Sequence, residues 1–322
     1  MTAKRHHYVP QSYLLGFADG NKRLMTVPLD GVESYIQSVE NAAAESYYNA
    51  FVDEQGQRSM VLEEQLSAIE GDGVSAIKRI LSGEFPPKDQ TRVQLATYLG
   101  LQVARSPRTR AMLDQIVDKT SKIMVAFSGP SGTRKVLEDK GHELSDEEAA
   151  ALWRTASAFD NYRVTPHQNR QIQQMLDSIF PLAEPFAVLP WGMVRFQHRA
   201  LLTCDNPVGM WRPADRSRHQ GWTHGIGVAT ADELWFPLDR RTALLVSPHL
   251  PSDGLRLRAT TKWAQRINQI IALWAHRFIY HHPKDDPLAG LWLPPVGEPM
   301  SVDGPDLKEV AARMEERDRR PH

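Results

Sequence analysis

The feature that most constrains the fold of this chain is a change in hydrophobic period near residue 185. Before it, apolar residues recur at helical spacings of three and four. Leu62, Leu66, Ile69, Ile77, Ile80 and Leu81 make one such stripe, weakened in its middle by Gly71 and Gly73. Phe85-Pro86-Pro87 breaks the pattern, and a second helix is predicted over Asp89–Arg105, with Pro107 bending or restarting it. Residues 127–145 hold Ser-Gly-Pro-Ser-Gly and a charged run, and read as an exposed connection or lid; helical spacing returns at Asp146–Ala158 and Gln168–Phe180. After the change, Trp191–Gln197, Ala200–Thr203, Leu234–Leu238 and Thr242–Ser247 are short apolar or β-branched runs between turn residues, which predicts strands. A strand at Arg23–Leu29, a helix at Thr261–His276, a strand at Phe278–His281 and a charged helix at Glu309–Arg319 complete the reading.

Blocks of helices followed by blocks of strands argue for an α+β fold rather than alternating βαβ units. Helical N-terminal and middle segments are expected to pack on a mostly antiparallel sheet built largely from residues 190–250. One domain is expected over residues 1–300, helix-rich to 185 and strand-rich from 186, with 301–322 as a charged tail.

Lys+Arg number 38 against Asp+Glu 39, so no bulk charge draws the chain to nucleic acid or membrane. Cys204 is the only cysteine, which rules out an internal disulfide and a thiolate zinc cluster within one chain. There is no long apolar leader and no run approaching the roughly 20 residues needed to span a bilayer. A cytoplasmic location is expected, with no membrane partner.

Near the start, Lys4-Arg5-His6-His7-Tyr8-Val9-Pro10-Gln11 sets two imidazoles side by side. On a regular strand neighbours face opposite ways, so only one of them reaches a given site. Later segments add Glu63-x-x-Leu66-x-x-Ile69-Glu70, Gln102-x-x-Arg105-x-Pro107-x-x-Arg110, Thr203-Cys204-Asp205-Asn206-Pro207 and Phe236-Pro237-Leu238. In this order the pieces resemble the bacterial domain-of-unknown-function family 4238, whose members open on an HHYVPQ-type motif; Leu15-Gly16 departs from that family's usual Arg-containing continuation. The resemblance implies a shared fold and site and supplies no reaction.

Glu63 and Glu70, seven apart, come to nearly one azimuth about 10 Å apart along a helix. Arg105 can pair with Glu70 across a helix contact or hold a phosphate as a planar fork. Asp205, at a strand end before Asn-Pro, either presents a carboxylate at a sheet edge or caps its own turn. Cys204 reads as a small core residue. Trp211–His224 interleaves basic and aromatic residues as a nucleic-acid surface or a solvated loop would. Gly129–Val136 imitates a phosphate loop, but Arg134 replaces the required glycine and Val136 the magnesium-binding hydroxyl. An HNH-type nuclease site also fails, because no histidine follows from Tyr8 until His142.

The function expected from these residues is metal-dependent hydrolysis of phosphodiester or nucleotide bonds. His6, His7, Gln11 and Arg105 would carry the chemistry, and His7, Glu63, Glu70 and Asp205 would hold Mg²⁺ or Mn²⁺, since carboxylates with few imidazoles suit hard cations. The expected partner is a nucleic acid or nucleotide. The rival expectation is a binding or toxin-like module in which the same residues close into a structural network.

Overall fold

The structure, a computed structural model, describes residues 5–52, 58–59, 61–213, 226–296 and 306–319; the side chains of residues 52, 58, 59, 61, 63 and 64 fall outside that description. Its first helices are α1 (Gln11–Leu14), α2 (Val61–Leu81), α3 (Asp89–Ala104) and α4 (Pro107–Glu138). There follow α5 (Asp146–Ala156), α6 (Gln168–Val188), α7 (Thr261–Trp274) and α8 (Leu307–Arg319). The strands begin with β1 (Arg5–His7), β2 (Arg23–Pro28), β3 (Tyr35–Ser38), β4 (Ala44–Ser46), β5 (Phe51–Val52) and β6 (Arg58–Ser59). The remainder are β7 (Trp191–Arg195), β8 (Thr203–Cys204), β9 (Gly209–Trp211), β10 (Glu233–Pro237), β11 (Thr242–Val246), β12 (Leu255–Leu257) and β13 (Phe278–His281). The fold is α+β. Among the described residues the strands form a five-stranded sheet β12-β7-β11-β10-β9, a four-stranded sheet β3-β2-β13-β8 and the pairs β1-β4 and β5-β6. Among the described residues only the β12–β7 pair runs parallel.

The chain divides into two compact units, residues 1–110 with 168–298, and residues 111–167 with 299–322. In the first, the five-stranded sheet is buried on both faces, as its near-continuous apolar strands require. Side chains alternate between two cores, since strand neighbours point oppositely. Trp191, Met193, Leu234, Phe236, Leu244 and Val246 pack with Leu95, Tyr98 and Leu99 of α3 and Phe186 of α6. Val194, Trp235, Ala243 and Leu245 pack with Ile267, Ile270 and Ile271 of α7. The sheet is thus the middle layer of three.

From Leu95 to Ala104 helix α3 is buried nearly all round, consistent with a helix enclosed by neighbours on several sides. Glycines let its neighbours come close. A Cβ on Gly73 of α2 would lie 2.2 Å from the Tyr98 ring, and one on Gly100 would lie 2.5 Å from the Ile179 carbonyl oxygen of α6. Helices α2 and α3 run antiparallel, tied at one end by Arg79 Nη2 donating to Gln94 Oε1 at 2.5 Å and at the other by Arg105 on Glu70.

Three expectations need correction. Residues 127–138 are helical rather than an exposed connection, with a break at Gly129, whose φ of 64° is left-handed. Pro130 then restarts the helix, a position where its missing N–H is not needed. The strand expected at Ala200–Thr203 shrinks to Thr203–Cys204, because the buried Asn268 amide takes the Ala200 carbonyl and the Leu202 N–H that a neighbouring strand would use. Helix α6 runs through Pro181 and Pro185 to Val188, past the predicted end at Phe180.

In the second unit, Ala126, Trp153, Phe159 and Ala311 form a small core, and the Trp153 indole donates to the Val125 carbonyl at 2.8 Å. Ser145 and Glu148 cap α5 reciprocally. The Asp318 carboxylate accepts from the Ser131 N–H and hydroxyl, so an acidic side chain sits where the discarded phosphate-loop reading would have put an anion. The segment expected as a tail contributes α8 to this unit.

Candidate functional site

Strand β1 pairs with β4 in the register His6↔Glu45 and His7↔Ala44. The two rings therefore leave on opposite faces. His6 is buried and its Nδ1 accepts the Asn49 N–H at 2.9 Å, which puts the proton of the neutral ring on Nε2. His7 is half-buried; its Nε2 lies 3.1 Å from the Glu40 carbonyl oxygen, and the Gln11 amide nitrogen is 3.3 Å from Nε2 and 3.5 Å from Nδ1. Because a carbonyl can only accept, Nε2 donates to it and Nδ1 keeps the lone pair. Burial chiefly lowers the His7 pKa; the Glu40 carbonyl and Glu70 oppose that, while Arg5 and Arg105 add to it. His7 is a neutral imidazole at pH 7.

Glu70 and Arg105, whose charges act on this ring, pair with each other. Arg105 Nη1 donates to Glu70 Oε1 at 2.5 Å, with the arginine side chain fully enclosed and the glutamate 24% exposed. The Tyr48 hydroxyl donates to the Arg105 carbonyl at 2.9 Å. Burial pushes that hydroxyl up to about 12. Arg110 stacks 3.6 Å over the Tyr48 ring and donates to its carbonyl. The spacing Gln102-x-x-Arg105-x-Pro107-x-x-Arg110 now has physical content: Arg105 holds Glu70, Pro107 opens α4, and Arg110 clamps Tyr48. Gln102 is buried.

Asp205 is oriented differently. Its oxygens accept the N–H groups of His276 and Arg277 at 2.7 Å and of Phe278 at 3.0 Å. Complete burial pushes its pKa up to about 6, against those three donors and Arg277. The carboxylate caps the turn between α7 and β13, a distant turn, and so fills neither of the two roles weighed from sequence, a carboxylate presented at a sheet edge or a cap on its own turn. Around it, Arg277 pairs with Glu45, Arg108 donates to the Leu273 carbonyl, and the buried Tyr8 feels the Asp205 charge. Cys204 is a buried core thiol, 3.0 Å from the Asn206 carbonyl oxygen.

The remaining quoted segments meet the same N-terminal stretch. The Tyr13 hydroxyl donates to the Pro237 carbonyl at 2.9 Å and so accepts from Thr203 Oγ1, also at 2.9 Å, while its ring stacks on Phe236. Gln11 meets the His7 ring, and the charges of the paired Glu70 and Arg105 act on it, whereas Asp205 spends its oxygens in a cluster of its own. The Glu63 side chain lies outside the described residues, as do Arg216, Arg218, His219, Trp222 and His224 of the basic and aromatic stretch read at Trp211–His224. Sequence reasoning missed Glu45, Tyr48, Tyr98 and Arg277. The only signals were the polar run Glu45–Asn49 and the odd placement of a tyrosine in an apolar helix stripe.

Among the described residues, no group of three His, Cys, Asp or Glu side chains is placed to hold a metal ion, and no helix is long and apolar enough to cross a membrane. No curated protein and no solved structure matches the chain. A family model described as "Protein of unknown function (DUF4238)" matches residues 5–285, so the chain belongs to that family.

Proposed function

We propose that this protein hydrolyses phosphodiester or nucleotide bonds, with His7 as the general base. The observation that carries the reading is a half-buried imidazole whose Nε2 hydrogen is held by the Glu40 carbonyl, leaving the Nδ1 lone pair to face the Gln11 amide at 3.5 Å, with Glu70 and Arg105 near enough for their charges to act on the ring. In the reaction, Nδ1 takes a proton from water, the oxygen attacks phosphorus, and the leaving alkoxide departs as the ester bond breaks. Arg105, enclosed and out of contact with substrate, offsets at a distance the negative charge that builds on the phosphoryl oxygens, and the Gln11 amide gives way at Nδ1 to the water and orients it. His6 supports β1 through Asn49 rather than touching substrate. Mg²⁺ or Mn²⁺ would draw on Glu70 and Glu63; His7, expected from sequence as a ligand too, has its one lone pair committed to the base role, and Asp205 contributes nothing while its oxygens are engaged. A cytoplasmic setting suits a chain whose single thiol is buried and unpaired.

The test is turnover of a chromogenic phosphodiester and a nucleotide panel, with Mn²⁺ and with chelator. His7→Ala is expected to lower kcat about 10²–10⁴-fold. Chelation abolishing turnover supports the cation. Undiminished turnover in His7→Ala removes the base assignment, and silence on every substrate removes the hydrolase reading. One observation favours the rival module: the Asp205 oxygens are saturated by backbone donors, as in a closed structural network. Under that reading His7→Ala changes melting temperature alone.

A further inference from the structure

Two side chains of α3 and the arginine that caps it share one face and carry polar atoms that no described residue hydrogen-bonds. Tyr98, Gln102 and Arg105 are 0%, 1% and 2% exposed. Their spacing of four and three puts them within a narrow sector of the helix. Tyr98 lies over Gly73, Arg105 pairs with Glu70, and both charges of that pair act on the Tyr98 hydroxyl, so this face looks onto α2. The Tyr98 hydroxyl, both ends of the Gln102 amide, and Nε and Nη2 of Arg105 are buried without hydrogen-bond partners among the described residues.

The pattern of orphans is informative. Arg105 spends only Nη1 on Glu70. What remains is the Nε–Nη2 edge, two parallel N–H groups whose spacing matches two oxygens of one phosphate or carboxylate. Gln102 adds two N–H groups and Tyr98 an O–H, against which only the Gln102 carbonyl and the phenolic oxygen accept. Such a donor surplus is matched by a guest made of acceptors. Water brings donors and acceptors in equal number and leaves the surplus uncancelled. Enclosure sets the size: a phosphate in mid-polymer cannot be surrounded, whereas a terminal one can.

We infer that the Nε–Nη2 edge of Arg105, the Gln102 amide and the Tyr98 hydroxyl form an internal receptor for a single small oxyanion, a terminal phosphate group or free phosphate. The inference deepens the hydrolase reading, on which it rests for its choice of phosphate, and it concerns binding rather than turnover. The full chain is titrated calorimetrically with inorganic phosphate and, separately, with adenosine monophosphate. Binding of either supports the receptor, and the tighter of the two identifies the source. Tyr98→Phe and Gln102→Leu, which keep shape while removing the polar atoms, are each expected to weaken binding about tenfold. His7→Ala is expected to keep phosphate affinity within about twofold even if turnover is lost. Absence of binding by both probes, or unchanged affinity in both α3 variants, overturns the inference and leaves the His7 assignment standing. Intact binding in a chain that hydrolyses nothing removes the hydrolase reading alone.

Discussion

Glu70 and Arg105 illustrate how unequal the two halves of an ion pair can be. The glutamate reaches solvent and the arginine does not, so losing the glutamate strands a buried cation. Glu70→Gln is expected to cost about 3 kcal/mol in urea denaturation, and Glu70→Gln with Arg105→Met to recover part of it, because the double variant buries no unpaired charge. Asp205 carries a different signature. Its three backbone donors need acceptors, and an asparagine amide offers one oxygen, so Asp205→Asn is expected to cost about 1–3 kcal/mol. The cost depends on pH. With its pKa raised to about 6, the folded carboxyl keeps a proton that the unfolded chain has already lost at about pH 4. Wild type therefore loses stability as pH rises through that window while the variant does not. The penalty of Asp205→Asn should be larger at pH 4.5 than at pH 7, and equal penalties at both would contradict a raised pKa.

At the scale of elements, the two glycines that weaken the α2 pattern turn out to be unlike. A Cβ on Gly73 collides with the Tyr98 ring, whereas one on Gly71 meets nothing within 4 Å. Gly73→Ala is expected to destabilise by about 2–3 kcal/mol through forced separation of α2 and α3. Gly71→Ala should stabilise by about 0.5–1 kcal/mol, since it only removes the backbone entropy of glycine from a helix interior. Thermal melts of the two variants should move in opposite directions. The helical stripe of α2, the start of α4 at Pro107 and the strands β2, β7, β10 and β11 were legible because each is a local pattern of period or punctuation. Strand β1 was not. Three residues with two histidines carry no period, and their strand character comes from pairing with Ala44–Ser46.

For the whole molecule, protonation couples units of structure that are remote in sequence. His7, His276, His281 and His282 all have pKa values lowered chiefly by burial. Below about pH 6.5 the unfolded chain binds protons that the folded chain resists, so their contribution to stability is present above that pH and is lost on acidification. Asp205 acts in the opposite sense. Melting temperature is expected to fall from pH 7 to pH 5, less steeply in His281→Asn and more steeply in Asp205→Asn; parallel curves for all three proteins would refute this assignment.

Family membership, the α+β class, the succession of a helical block by a strand block, and the core character of the lone cysteine follow from the order of residues alone, because each depends on local spacing or on a count. Tertiary packing decided what the ionisable groups do. Asp205 turns inward to backbone donors, His6 and His7 part to opposite faces, Arg277 finds Glu45, and two polar side chains of α3 and its capping arginine are shut in against α2. The physical reason is that a hydrophobic period is a property of neighbouring residues, whereas the partner and solvation of a charge depend on which distant element comes to lie against it.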